Sequence, residues 1–130
     1  MKTKQELYAA RPTSPHLGIY RPQISSVLSA FHRITGVLLF GALSLITWIF
    51  ILCLIMSLDI SFLSLEPYSC LIKYALYIIS YAFFYHLSSG IRHLVWDSGR
   101  CLSKEALHVT GWIAIAVGIL MTFLFWTVIV

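Results

Sequence analysis

The sequence predicts an all-α integral membrane protein with three transmembrane helices, and three observations carry that prediction. Hydrophobic residues make up 59% of the 130 residues, charged residues only 11%, and the mean hydropathy is +0.87. A soluble domain of this size could not hide so much apolar surface, so the solvent is lipid. Three stretches each approach or exceed the roughly 20 apolar residues needed to cross about 30 Å of hydrocarbon. Lipid offers exposed backbone no hydrogen bonds, so each stretch must be a helix.

The elements follow in order within one membrane domain, residues 1–130. Residues 1–28 form an N-terminal arm in which RPTSPHLGIYRP, with Pro12, Pro15 and Pro22, cannot be continuous helix. The first apolar stretch, Ile34 to Leu58, has no charge, and its helix is expected over about 30–57. The second, about Ser69 to Leu94, holds only Lys73 near its start and Arg92 near its end, with a helix expected over about 70–95. The third, Thr110 to Val130, is uncharged, with a helix expected over about 109–130. Tyr20, Tyr68, Tyr74, Trp96, Trp112 and Trp126 stand near the boundaries, as interfacial anchors do.

Charge sets the orientation. Lys2, Lys4, Arg11, Arg21 and Arg33 precede or open the first helix, and Arg92, Arg100 and Lys104 surround the second loop. The loop between helices one and two carries Asp59 and Glu66. The positive-inside rule therefore puts the N-terminus and the second loop on the cytoplasmic side, or on the matrix side of a mitochondrion. The first helix is too long and too far from the N-terminus for a signal peptide, and no transit presequence is visible. That favours a multi-pass bacterial inner-membrane protein, with the mitochondrial inner membrane as the alternative.

The net charge of +4 does not indicate a nucleic-acid partner, because the basic residues sit where topology wants them. Cys53, Cys70 and Cys101 are widely spaced and form no CxxC or Cys/His metal pattern. They read as small apolar fillers, so any iron–sulfur chemistry belongs to another chain.

Two segments can carry chemistry. In YHLSSGIRHLVWD, His86 lies seven residues, or about 10 Å, before His93 at the inner boundary. An imidazole at that depth is costly without a partner; it is either a ligand for haem iron or an interhelical hydrogen bonder. His93 shares its face, and Gly90 clears space there for a flat cofactor or for a close neighbouring helix. Arg92 and His93 either pair with carboxylates at the membrane edge or snorkel to the interface. In SSVLSAFHRITG, Ser29, His32 and Arg33 share a face at i, i+3 and i+4, and Ser26 joins it one heptad before Arg33. A hydroxyl beside a fixed cation suits a quinone head group, with Arg33 offsetting the charge that develops on reduction. The plainer alternative makes Ser25 or Ser26 a helix cap and Arg33 a topology determinant. His16 and His108 read as contact or structural residues, Asp97 as the balance to Arg92 or Arg100, and Gly36, Gly41, Gly111 and Gly118 as helix-packing positions.

RPTSPHLGIY, then S-x-x-H-R-x-T-G as Ser29 to Gly36, then H-x-x-x-G-x-R-H-L-x-x-D as His86 to Asp97, resemble the cytochrome b large membrane-anchor subunit family of succinate dehydrogenase, the cytochrome b556 subunit family. The likeness spans the whole chain. It implies a helical bundle completed by a second small anchor subunit, docked to a flavoprotein subunit and an iron–sulfur subunit. It implies haem b shared with that second anchor, and ubiquinone as substrate. By the match, His86 is an axial ligand of the haem iron, and His32, Arg33 and His93 surround the propionates. Ser29 and Arg33 line the quinone site, and no residue of this chain is catalytic in succinate oxidation. Two rival functions fit the bare topology: a haem-free anchor, as in some fumarate reductases, and a small channel or transporter component.

Overall fold

A computed structural model describes residues 3–12, 21–57 and 69–129. Lys2, Pro15, His16, Tyr20, Asp59, Glu66, Tyr68 and Val130 lie outside the described residues. The described residues form four helices and no strand: α1 (Lys4–Ala9), α2 (Ile24–Met56), α3 (Ser69–Asp97) and α4 (Lys104–Ile129). The chain is thus all-α, and α2, α3 and α4 are each long and apolar enough to cross a membrane.

Short polar devices start and stop these helices. The α1 turn, unanticipated in the arm, is opened by Thr3 and Glu6: the Glu6 carboxylate accepts from the Thr3 N–H at 2.9 Å while Thr3 Oγ1 accepts from the Glu6 N–H at 3.4 Å. Ser26 plays a similar part at α2, accepting from the Gln23 N–H at 3.3 Å and donating to the Gln23 carbonyl at 2.8 Å. Its hydroxyl is therefore engaged by the helix start. Ser57, in the left-handed region at φ 50°, ends α2. Past α3 the chain turns at Gly99, φ +77°, whose N–H bonds the Trp96 carbonyl at 2.8 Å. Ser103 then opens α4 by accepting from the Ala106 N–H at 3.2 Å.

The helices run antiparallel in sequence. Against α3, α2 brings Gly36 beside His86, and its residues 39–46 face 79–84 across a shared cavity. The α3–α4 pairing is the more extensive and is built on small residues. Ala82, Ser89 and Ala114 are buried. The Ser88 hydroxyl reaches the Ala114 carbonyl at 2.9 Å. Gly118 lies so close to α3 that a Cβ there would stand 3.2 Å from the Tyr85 Cα. Gly111 has the same role against Leu28 and Arg92, whereas among the described residues nothing lies within 4 Å of a Cβ placed at Gly41. Outside this seam, Phe40, Trp48, Ile55, Leu71 and Val128 lie bare, the surface of a protein solvated by acyl chains.

Two expectations at the end of α3 are overturned. Arg92 neither snorkels nor pairs with Asp97: it is buried, donating from Nε to Thr110 Oγ1 at 3.1 Å and from Nη2 to the Leu107 carbonyl at 3.0 Å. Its guanidinium also lies 4.0 Å from the centre of the Trp96 ring, a cation–π contact within α3. In lipid, a cation at this depth is better served by the carbonyl and hydroxyl of α4 than by a long reach to water. Asp97 remains exposed at the helix end. The three cysteines are free; Cys53 is buried, and Cys70 and Cys101 are exposed.

Candidate functional site

The site grows from the first four turns of α2, which carry Ser29, His32, Arg33, Thr35 and Gly36, and from the last turns of α3, which carry His86, Gly90 and His93. Because α2 begins at Ile24, the segment SSVLSAFHRITG is already helical, and its histidine faces α3. His32 and His86 stack with ring centroids 4.0 Å apart and planes 9° from parallel. His93 leans on His32 at 5.1 Å and 47°, and Trp96 meets His93 edge-on at 4.9 Å. The two histidines of the α3 motif thus share one neighbour, His32.

The hydrogen bonds fix the tautomer of His86. Its Nδ1 lies 3.1 Å from the His32 carbonyl oxygen and 3.2 Å from Thr35 Oγ1. A carbonyl oxygen can only accept, so Nδ1 carries the hydrogen and donates. The lone pair of Nε2 is then free to bind a metal. Thr35 is buried, and its own hydroxyl lies 2.9 Å from both the Phe31 and His32 carbonyls, the back-bonding geometry of a helical threonine. His32 has no such partner: its Nδ1 is buried and unbonded among the described residues.

Gly36, not Gly90, makes room for the His86 ring. A Cβ at Gly36 would stand 3.0 Å from His86 Cε1, whereas one at Gly90 would stand 3.9 Å from His32 Cε1, an ordinary contact. Beyond His86, on the side away from His93, opens a cavity of about 650 Å³, walled by Gly36, Leu39, Phe83, Phe84 and Phe125 among others. A second, of about 620 Å³, lies across Thr35, where Tyr81, Tyr85, His108 and Trp112 meet the start of α2. Tyr85 is tied in place there by donating to the Leu28 carbonyl at 3.1 Å.

His32, His86 and His93 are therefore brought together, while Ser29 and Arg33 stand beside this cluster. Ser29 is half-buried and Arg33 exposed on α2, and neither lines the two larger cavities. On a helix of 3.6 residues per turn, Arg33 lies about 100° round from His32, toward the outside of the three-helix unit. Thr35 and the ring-facing role of Gly36 were missed from sequence. The signal was the T-G that closes S-x-x-H-R-x-T-G: Thr35 falls at i+3 from His32, on the face that turns to α3.

This arrangement sits in a chain with close relatives. Residues 9–125 match the family described as succinate dehydrogenase/fumarate reductase transmembrane subunit. The succinate dehydrogenase cytochrome b556 subunit of Rickettsia bellii is 51% identical over 125 residues, covering 96% of this chain and 98% of that one. The cytochrome b560 subunit of succinate dehydrogenase from Reclinomonas americana is 42% identical, covering 91% and 85%. The mitochondrial succinate dehydrogenase cytochrome B subunit of Schizosaccharomyces pombe is 37% identical, covering 85% and 64%. With three lipid-facing helices and these relatives over nearly its full length, the chain belongs to the succinate dehydrogenase/fumarate reductase transmembrane subunit family.

Proposed function

We propose that the chain binds haem b jointly with a second anchor subunit and helps to form the site at which ubiquinone is reduced. The observation that carries this reading is the position of His86 Nδ1, 3.1 Å from the His32 carbonyl oxygen and 3.2 Å from Thr35 Oγ1, beside an apolar cavity. Iron-ligating histidines in proteins are held in this manner, with the ring nitrogen away from the metal donating to a carbonyl. The residues also fit the group in other respects. Gly36 leaves the ring its space, and among the described residues the buried His32 Nδ1 has no hydrogen-bond partner.

In this reading His86 Nε2 would ligate the iron, and His32, Arg33 and His93 would form the polar rim that receives the propionates. Haem b, when bound, supplies a reversible one-electron store in the electron path to quinone. The walls Leu39, Phe83, Phe84 and Phe125 exclude water and keep the local dielectric low. Toward the quinone, the Ser29 hydroxyl donates to a head-group carbonyl and Arg33 offsets the negative charge that develops on reduction. The flank these two residues occupy needs a further protein surface to become a pocket, which suits a site completed by the iron–sulfur subunit and the second anchor. The flavoprotein subunit oxidises succinate, and this chain holds the assembly to the bilayer.

Localisation follows from the same reading: a multi-pass protein of a bacterial inner membrane with a cytoplasmic N-terminus, as the basic arm and the Rickettsia relatives favour. The test of the quinone role is a split between two assays of the assembled complex. Ser29→Ala and Arg33→Leu should slow succinate:ubiquinone reductase activity while succinate reduction of a soluble dye is spared. Equal loss of both activities would assign these residues to assembly and contradict the quinone site.

A further inference from the structure

We infer that Thr35 is a positioning residue for the iron ligand: its hydroxyl, with the His32 carbonyl, sets the ring orientation and basicity of His86. This rests on the assignment of His86 as an axial ligand. The hydroxyl has one hydrogen and three neighbours, Phe31 O at 2.9 Å, His32 O at 2.9 Å and His86 Nδ1 at 3.2 Å. The His32 carbonyl already accepts the Gly36 N–H as the i→i−4 bond of α2. Only one of its lone pairs is left for Thr35 or for His86, which stands at 3.1 Å. All groups are satisfied in one arrangement: Thr35 donates to Phe31 O, and His86 Nδ1–H is shared between the His32 carbonyl and Thr35 Oγ1.

Two acceptors do what one cannot. A single acceptor lets the imidazole pivot about the hydrogen bond; two, side by side within one turn of α2, limit that pivot. Donation by Thr35 to Phe31 O also polarises its oxygen and makes it a better acceptor. Stronger acceptance at Nδ1 raises the electron density at Nε2, which favours the oxidised state of a bound iron. Thr35 is buried, so no water replaces its hydroxyl. Valine at this position keeps the shape and removes only the acceptor.

The experiment is a redox titration of the haem band in the assembled, purified complex carrying Thr35→Val, Thr35→Ala or Thr35→Ser. Wild type and the Ser variant are expected to titrate together. The Val variant should keep its haem content and titrate at a higher potential, with the reduced-to-oxidised ratio at the wild-type midpoint raised about threefold to tenfold; tenfold corresponds to about 59 mV for one electron. If Val does not assemble, Ala removes the same hydroxyl and is titrated in its place. An unchanged midpoint at full haem content overturns the inference. So does loss of assembly in both Val and Ala variants, since the hydroxyl would then serve only the fold. Absence of any His86-dependent haem band in the wild-type complex would instead overturn the ligand assignment, and the role of Thr35 with it.

Discussion

The imidazoles of His32 and His86 lie face to face, 4.0 Å between centroids and 9° from parallel, although 54 residues separate them along the chain. The α2 helix supplies that pairing with a stacking ring, a carbonyl, a hydroxyl and a glycine within five consecutive positions, His32 to Gly36. One turn of helix thus builds most of the surroundings of the α3 histidine.

The glycines around this pair should differ sharply in tolerance. At Gly36 even a methyl group meets His86 Cε1 at 3.0 Å, at Gly90 the nearest atom is 3.9 Å away, and at Gly41 nothing lies within 4 Å. Overpacking a filled site costs about 1–3 kcal/mol. Gly36→Ala should therefore lower the haem content of the purified complex well below wild type, and Gly36→Val should lower it further. Gly90→Ala and Gly41→Ala should leave it near wild type. Pyridine haemochrome quantitation per complex checks this; equal haem in all four variants would contradict the ring-to-glycine contact.

That three long helices cross a membrane was legible in the sequence because lipid imposes length and apolarity on each one. Their starts were not: α2 begins at Ile24 and α4 at Lys104, several residues before the expected starts near 30 and 109, because polar caps rather than the apolar stretches set those ends. Charge placement put both motifs on one side of the membrane, but the contact of His32 with His93 at 5.1 Å depends on how α2 and α3 pack and was not read from the sequence. Two features were harder to read. Arg92 lies at a helix end where snorkelling is the usual outcome, and nothing in IRHLVWD announces that Thr110 and the Leu107 carbonyl will turn it inward. The choice between Gly36 and Gly90 as the ring's seat depends on the rotation of α2 against α3, which periodicity does not fix. The α1 turn, by contrast, was visible in T-K-Q-E as a capping signature and was passed over.

Arg92 should behave as the clamp between α3 and α4. Hydrogen bonds from charged donors contribute about 1.5–3 kcal/mol each in soluble proteins, and interhelical bonds in membranes average about 0.6 kcal/mol. A net loss of about 1–3 kcal/mol is expected for Arg92→Leu. The thermal midpoint of the detergent-solubilised complex should fall by several degrees. Arg92→Lys should recover only part of it, because an ammonium cannot present the fork that reaches both acceptors. A midpoint unchanged in both variants would contradict the clamp.

The cytoplasmic assignment of the second loop can be checked with Cys101, which is free, exposed and placed just past the turn at Gly99. In a variant with Cys53 and Cys70 replaced by Ser and Ala, a membrane-impermeant maleimide should label Cys101 in inverted vesicles and not in intact spheroplasts. Labelling confined to spheroplasts would reverse the orientation of every helix.

The role of His86 is decided by the reduced-minus-oxidised spectrum of the assembled complex carrying His86→Ala beside wild type. A b-type band present in wild type and lost or much reduced in the variant, with the other subunits still bound, is the expected result. An undiminished band in His86→Ala would contradict the assignment of His86 as the iron ligand.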